Sequence, residues 1–183
     1  MGYAVALSKA WQELEDHSGN KHIRVRFLAD EYTVDLENKR ILSSSCNVAA
    51  KDWITILILH YLKQKMQGLP LLSSQWLSFR ELAGGKEYFP VFKKRVIDVI
   101  ARKYGCKPDA LLGLTERFKA KASQLADVSV VVEVFDGVEV LIALWRGDDE
   151  FGPEANILFD ESIKNIFCTE DIVVLAEFIA HSV

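Results

Sequence analysis

Only three cysteines, Cys46, Cys106 and Cys168, stand in the 183 residues, far apart and with no CxxC pair among them. That scarcity argues against a disulfide framework, a structural zinc site or a self-contained iron–sulfur centre. Isolated thiols of this kind behave as small buried hydrophobes, and the pattern suits the cytoplasm. No apolar run is long enough to cross a bilayer. The longest, residues 53–62, is interrupted by Thr55 and His60 and bounded by Asp52 and Lys63, so no membrane span is expected. The first residues lack a basic segment followed by an apolar one, which excludes a secretory signal from the reading, and Ala6 stands where a myristoylated chain would carry Ser or Thr. Neither sign of charge dominates: 22 Lys and Arg face 26 Asp and Glu, a net charge of −4. Nucleic acid and anionic membrane are therefore not expected as partners. There is no Gly/Ser- or Pro-rich linker and no internal repeat, and the length is that of one sizeable core. A single domain over 1–183 is expected.

What the chain does contain is periodic pattern. Ala4, Leu7, Trp11 and Leu14 fall at helical spacing. Ile23, Val25 and Phe27, then Tyr32, Val34 and Leu36, alternate with polar residues as half-buried strands, with residues 29–31 as the turn and a third short strand after Asn38. Asn47 is a plausible cap for a helix over 49–67, whose Trp53, Ile54, Ile56, Leu57, Leu59, Tyr61 and Leu62 leave it apolar on most sides. A helical pattern over 79–83 stops at Gly84-Gly85, and residues 90–104 line Phe92, Val96, Val99 and Ile100 on one face with Lys93, Lys94, Arg95, Arg102 and Lys103 on the others. A solvated face is the simpler reading of those bases. Residues 115–124 continue a helix begun near Asp109 or form a bridge. Valines at 128, 130, 132 and 134, a turn at Asp136-Gly137, and Val138, Val140, Ile142 and Leu144 spell a β-hairpin. Ala155 to Phe159 reads as a strand, Asp160 or Ser162 as the cap of a short turn, and Thr169 opens a C-terminal helix with Ile172, Leu175, Ala176 and Ile179 inward. The fold class is α+β: a mainly antiparallel sheet, joining the N-terminal strands to the C-terminal hairpin, packed against a central buried helix and the C-terminal helix.

Chemistry concentrates in residues 145–160, where Trp145 precedes Asp148, Asp149, Glu150, Glu154 and Asp160. Converging, Asp148, Glu150, Glu154 and Asp160 would offer the oxygen-rich cage a divalent cation takes, or a carboxylate pair with split pKa values. The order of an EF-hand is absent. Each acid also has a structural use: solvating a strand exit, accepting turn amides, capping a helix, or receiving the fork of Arg80. Structure is the favoured reading. No G-x-S-x-G elbow or His pairing suggests nucleophilic catalysis; Cys46, beside the cap at Asn47, is the candidate for a thiol activated by a helix dipole. No cofactor is evident.

Two segments carry a resemblance: Trp76-Leu-Ser-Phe-Arg-Glu-Leu with Gly84-Gly85, Tyr88 and Phe92; and, the more specific, Gly147-Asp-Asp-Glu-Phe, Glu154-Ala-Asn-Ile-Leu-Phe-Asp and Thr169-Glu-Asp. Together they resemble the domain of unknown function 3786 family, found mainly in anaerobic bacteria and archaea, from about Val48 onward. Some relatives carry an iron–sulfur domain ahead of this one, and the family is thought of alongside corrinoid and one-carbon methyl-transfer systems. This chain departs from that arrangement in having no cysteine cluster. The expectation is a non-catalytic binding or accessory module for a protein partner or small ligand, using Trp76, Arg80, Glu81, Gly84, Gly85 and Tyr88 with Trp145, Asp148, Asp149, Glu150, Glu154 and Asp160. The alternative is a metal-dependent enzyme built on the acidic loop.

Overall fold

The computed structural model describes residues 2–15 and 22–183; His17 lies outside them. The chain divides into two compact units, Met1–Pro70 and Leu71–Val183, and its class is α+β, with two antiparallel sheets among the described residues.

In the first unit, helix α1 (Gly2–Glu15) packs on helix α2 (Asp52–Gln67). Lys63 closes an ion pair on Glu13 at 2.8 Å. Strands β1 (His22–Phe27), β2 (Asp30–Asp35) and β3 (Arg40–Ser43) form a three-stranded meander. Pairing of Phe27 with Asp30 places the first turn at Leu28 and Ala29, one position earlier than the pattern suggests, and Leu28 takes a left-handed φ of 53° to close it. The second turn is held as expected: Asn38 donates its backbone N–H and side-chain amide to Asp35. The expected cap at Asn47 is corrected. Asn47 donates to the carbonyl of Ser43 at 2.9 Å, and Leu42 bridges Ala49, so the chain turns and then stays extended until Lys51, the true cap. Helix α2 is then buried from Ile54 to Leu59 without a break. Six consecutive buried positions exceed the single stripe of a surface helix, as the all-round apolar pattern implies.

The second unit is built on a five-stranded antiparallel sheet in the order β4-β8-β7-β6-β5, comprising β4 (Trp76–Ser78), β5 (Ala120–Ser123), β6 (Val128–Phe135), β7 (Val138–Trp145) and β8 (Glu154–Asp160). The hairpin forms where Asp136-Gly137 predicts it, with Gly137 at φ 78°. Its valines line one face, where Val130, Val132, Val134, Val140, Ile142, Ile157 and Phe159 are fully buried. The other face is apolar too: Val131, Leu141 and Ala143 form a cluster under Trp76, Ala126 and Leu158. A strand buried on both faces loses its strict alternation, which accounts for the near-continuous apolar run of β6.

Two expectations are corrected here. The N-terminal strands and the hairpin do not share a sheet, because the place beside β6 is taken by β5, in the stretch read as helix or bridge. Phe118 leaves a short helix, Leu114–Arg117, at φ −128° and ψ 163°, and the chain pairs with β6, Glu133 donating to the carbonyl of Lys119 at 2.8 Å. The helix expected from Pro90 begins earlier, at Gly85. Segments Gly85–Phe92 and Asp98–Tyr104 are joined by a π-turn at Lys93–Ile97, with Pro90 inside the first. Pro90 has no N–H to give the carbonyl one turn earlier, and the widened turn follows it. Phe92, Val96 and Ile100 face the core, fully buried. The last helix, Thr169–Ser182, buries Ile172, Leu175, Ala176 and Ile179 as predicted.

Candidate functional site

Strand β4 follows a loop and pairs with β8, Trp76 opposite Asp160, Leu77 opposite Phe159 and Ser78 opposite Leu158. The Trp76 segment of the resemblance and the end of its Glu154-Ala-Asn-Ile-Leu-Phe-Asp stretch are therefore neighbours in the sheet. A carboxylate locks them. Asp160, 1% exposed, accepts the backbone N–H groups of Ser73 at 3.1 Å, Ser74 at 2.8 Å and Ser162 at 2.9 Å, and the hydroxyl of Ser73 at 3.2 Å. Burial alone would raise its pKa; the hydrogen bonds from Ser162, Ser73 and Ser74 outweigh it and hold the carboxyl below the usual range. Asp160 thus caps the 3-10 turn Glu161–Asn165, as its position predicts, and also anchors the entry to β4.

The chain leaves β4 through a 3-10 turn, Phe79–Glu81, closed by a capping box: Glu81 accepts the N–H of Ser78 at 2.7 Å and its hydroxyl at 2.8 Å. Those bonds lower the Glu81 pKa, the backbone one most. Gly84 then takes φ 69°, the left-handed conformation the double glycine predicts. Gly85 has a different reason to be glycine, since a Cβ there would overlap the carbonyl oxygen of Phe79. The carbonyl of Ala83 in turn accepts the hydroxyl of Thr169 at 2.9 Å, which brings Thr169-Glu-Asp of the resemblance beside the Trp76 segment.

Beside this junction opens a cleft of about 410 Å³ lined by Leu82, Ala83, Lys164, Phe167, Cys168, Thr169, Glu170 and Ile172. Leu82, Phe167 and Ile172 are buried and supply an apolar floor. Lys164 and Glu170 are exposed and carry opposite charge at the mouth, with Lys164 held to Glu161 at 2.7 Å. Cys168 is exposed on the cleft wall, and the partial burial of its thiol pushes its pKa up to about 11, so it is not an activated nucleophile. Such a cleft can take an apolar group with a polar end; it offers no activated base or nucleophile.

The remaining candidates are distributed as follows. Trp76 packs on the sheet cluster. Arg80 lies over the ring of Phe89 at 3.8 Å, a cation–π contact in place of the expected fork onto the acidic loop. Tyr88 is on the surface of the following helix, tilted against Phe79. Trp145, Asp148, Asp149, Glu150 and Glu154 belong to the opposite end of β8, where Trp145 pairs with Glu154. At about 3.3 Å per residue, six residues of strand put Glu154 and Asp160 on the order of 20 Å apart, so the proposed quartet does not converge. Asp148 accepts the N–H groups of Glu150 at 2.8 Å and Phe151 at 2.7 Å; these bonds, chiefly that of Phe151, lower its pKa. Among the described residues no three His, Cys, Asp or Glu stand where they could hold a metal ion.

Cys46 is exposed and its pKa is lowered, but not by a helix dipole. The cause is the Ser43 hydroxyl, 3.2 Å from the sulfur and itself bonded to Asp30 at 2.6 Å. The residues that reasoning from sequence missed are Leu82, Ala83, Lys164, Phe167 and Cys168. Among the cleft residues Leu82, Thr169 and Glu170 lie in segments that carry the resemblance, and Ile172 is an inward position of the last helix, but none of them is among the expected site residues.

A family model described as a domain of unknown function (DUF3786) matches residues 10–182. No curated protein matches the chain, and no solved structure does.

Proposed function

The chain belongs to the DUF3786 family, and we propose that it works there as a non-catalytic binding module whose site is the cleft beside the β4–β8 junction. One observation carries this reading: three parts of the resemblance that are far apart in sequence, Trp76–Ala83, the end of β8 at Asp160, and Thr169, meet at the pairing of Trp76 with Asp160 and the bond from Thr169 to Ala83, and a cleft opens beside Ala83 and Thr169. The use of its polar groups agrees. Asp160 and Glu81 are spent on backbone amides, and the Cys168 thiol is held protonated. We treat 1–183 as one functional domain, since the family match runs through both compact units. Three unpaired, exposed cysteines support a reducing compartment, the cytoplasm.

The occupant is an apolar group of a protein partner or small ligand. Corrinoid and one-carbon methyl-transfer proteins of an anaerobe are the first class to test, on the strength of the family resemblance. Affinity capture from an anaerobic lysate, with wild type beside Ala83→Trp, makes the test: the bulky side chain blocks the cleft from an exposed position. A corrinoid or methyl-transfer component retained by wild type and lost by the variant is the expected result. Recovery of no such component, or equal recovery by both proteins, removes the reading.

A further inference from the structure

The far end of the five-stranded sheet carries a surface the cleft does not explain. Phe151 is 70% exposed and Trp145 37%, and Asp148 braces the loop between them by accepting two of its amides. Around these rings Asp149, Glu150 and Glu154 are exposed and have no ion-pair partner among the described residues, whereas Arg146 is already taken by Asp109. The complementary chemistry occurs on the same chain. On the helical segment from Gly85 to Tyr104, Tyr88 (36% exposed) and Val91 (38%) are neighbours one turn apart, and Lys94 follows Val91 at the start of the π-turn. Lys86, Lys94 and Arg102 are exposed without an acidic partner among the described residues, while Lys93 and Arg95 are spent on Asp98 and Glu177. The tip thus offers two apolar side chains and three acids without an ion-pair partner among the described residues; the helical segment offers two apolar side chains with Lys86 and Lys94 beside them, one exposed acid, Glu87, and Arg102 about 12 Å beyond Lys94.

We propose that the acidic, aromatic tip of one copy docks on the basic Tyr88–Val91–Lys94 patch of a second copy, so that the chain associates head to tail. Two different patches meet in such a contact, so each copy keeps one of each unused, and association continues beyond two copies unless a ring closes. Charge steers the encounter and is screened within about 10 Å at 0.1 M salt; the apolar pair supplies the desolvated centre.

Sedimentation velocity over a range of concentrations tests this on the whole chain. At low salt the weight-average mass of wild type rises with concentration above the 20.7 kDa of one chain, and high salt returns it towards that value. Two variants isolate the surfaces: a tip variant, Glu150→Lys with Phe151→Ser, and a helix variant, Val91→Ser with Lys94→Glu. Each alone stays monomeric, and an equimolar mixture stops at twice the monomer mass, because each variant retains the one surface the other lacks. Asp149→Lys, a single exposed change, weakens association in the same direction and guards against a misfolded tip; circular dichroism checks all variants. A wild type that stays at one-chain mass at low salt overturns the proposal. So does a variant that assembles like wild type, or a mixture that forms no dimer. If monomeric wild type instead binds a Lys/Leu amphipathic peptide through Phe151, the tip serves a foreign partner and self-docking is wrong. None of these results bears on the cleft, which Ala83→Trp tests separately.

Discussion

The carboxylate of Asp160 accepts the backbone N–H of Ser74 at 2.8 Å across 86 residues of sequence, and with Ser73 and Ser162 it ties the entry of β4 to the exit of β8. The residue caps the turn after β8, as expected of it, and is also the clasp between two segments of the candidate site.

Removing that clasp should cost stability in proportion to the amides left behind. Asp160→Ala strands the buried Ser162 N–H and frees the Ser73 and Ser74 amides to water, for about 2–3 kcal/mol. Asp160→Asn keeps one acceptor oxygen and loses about 1–2 kcal/mol. Urea unfolding gives both values, and a wild-type midpoint for Asp160→Ala would show that the clasp carries no stability.

The same residue gives a pH signature. Its folded pKa is depressed, against burial, by the bonds from Ser162, Ser73 and Ser74. Its stabilisation is therefore complete above the unfolded carboxyl value near 3.9 and is lost as pH falls through the lower folded value. The stability gap between wild type and Asp160→Asn should stay constant from about pH 7 to 5 and narrow below about pH 4. A gap unchanged into strong acid would contradict the assignment.

Gly84 and Gly85 should respond differently to alanine. Gly84→Ala meets open space but must hold φ 69°, a cost of about 1–2 kcal/mol. Gly85→Ala drives a Cβ into the Phe79 carbonyl and should cost about 3 kcal/mol or more. Thermal melts of the pair decide the order, and equal losses would mean that the turn relaxes around Gly85.

Thiol labelling should separate the cysteines. With its pKa lowered by Ser43, Cys46 should react with iodoacetamide near pH 8 well before Cys168, which burial lifts to about 11. Ser43→Ala should slow Cys46 selectively. Peptide mass spectrometry reads both rates, and faster labelling of Cys168 would refute the ordering.

The acidic loop should be indifferent to metal. Glu154 and Asp160 end opposite sides of β8, and Asp148 is occupied by loop amides. Calcium, magnesium and manganese should each leave the melting temperature of wild type and Glu154→Gln unchanged. A rise in wild type that Glu154→Gln abolishes would restore the metal-dependent alternative.

Period and punctuation made several elements legible from the residues alone. Asp136-Gly137 between two valine-rich runs allows little but a hairpin, Asp160 before Ser162 is a local cap, and the spacing of Ile172, Leu175, Ala176 and Ile179 defines a buried helical stripe. Each of these depends on neighbours within a few positions. β5 was hidden because Ala120-Lys-Ala-Ser has the composition of a bridge; it becomes a strand only because β6 offers an open edge. The cap at Asn47 failed for a related reason: a good capping residue was claimed first by the turn that closes on Ser43.

By itself, the sequence determined the α+β class, the hairpin, the buried helices and the two segments that carry the family resemblance, since burial periodicity and turn chemistry are written in consecutive residues. Tertiary structure alone decided which segments became neighbours. It set Trp76 against Asp160, drew Thr169 to Ala83, and carried the acidic loop to the far end of β8, because strand pairing and backbone hydrogen bonds join residues that sequence distance keeps apart. The candidate site thereby moved from a ring of carboxylates to an apolar cleft.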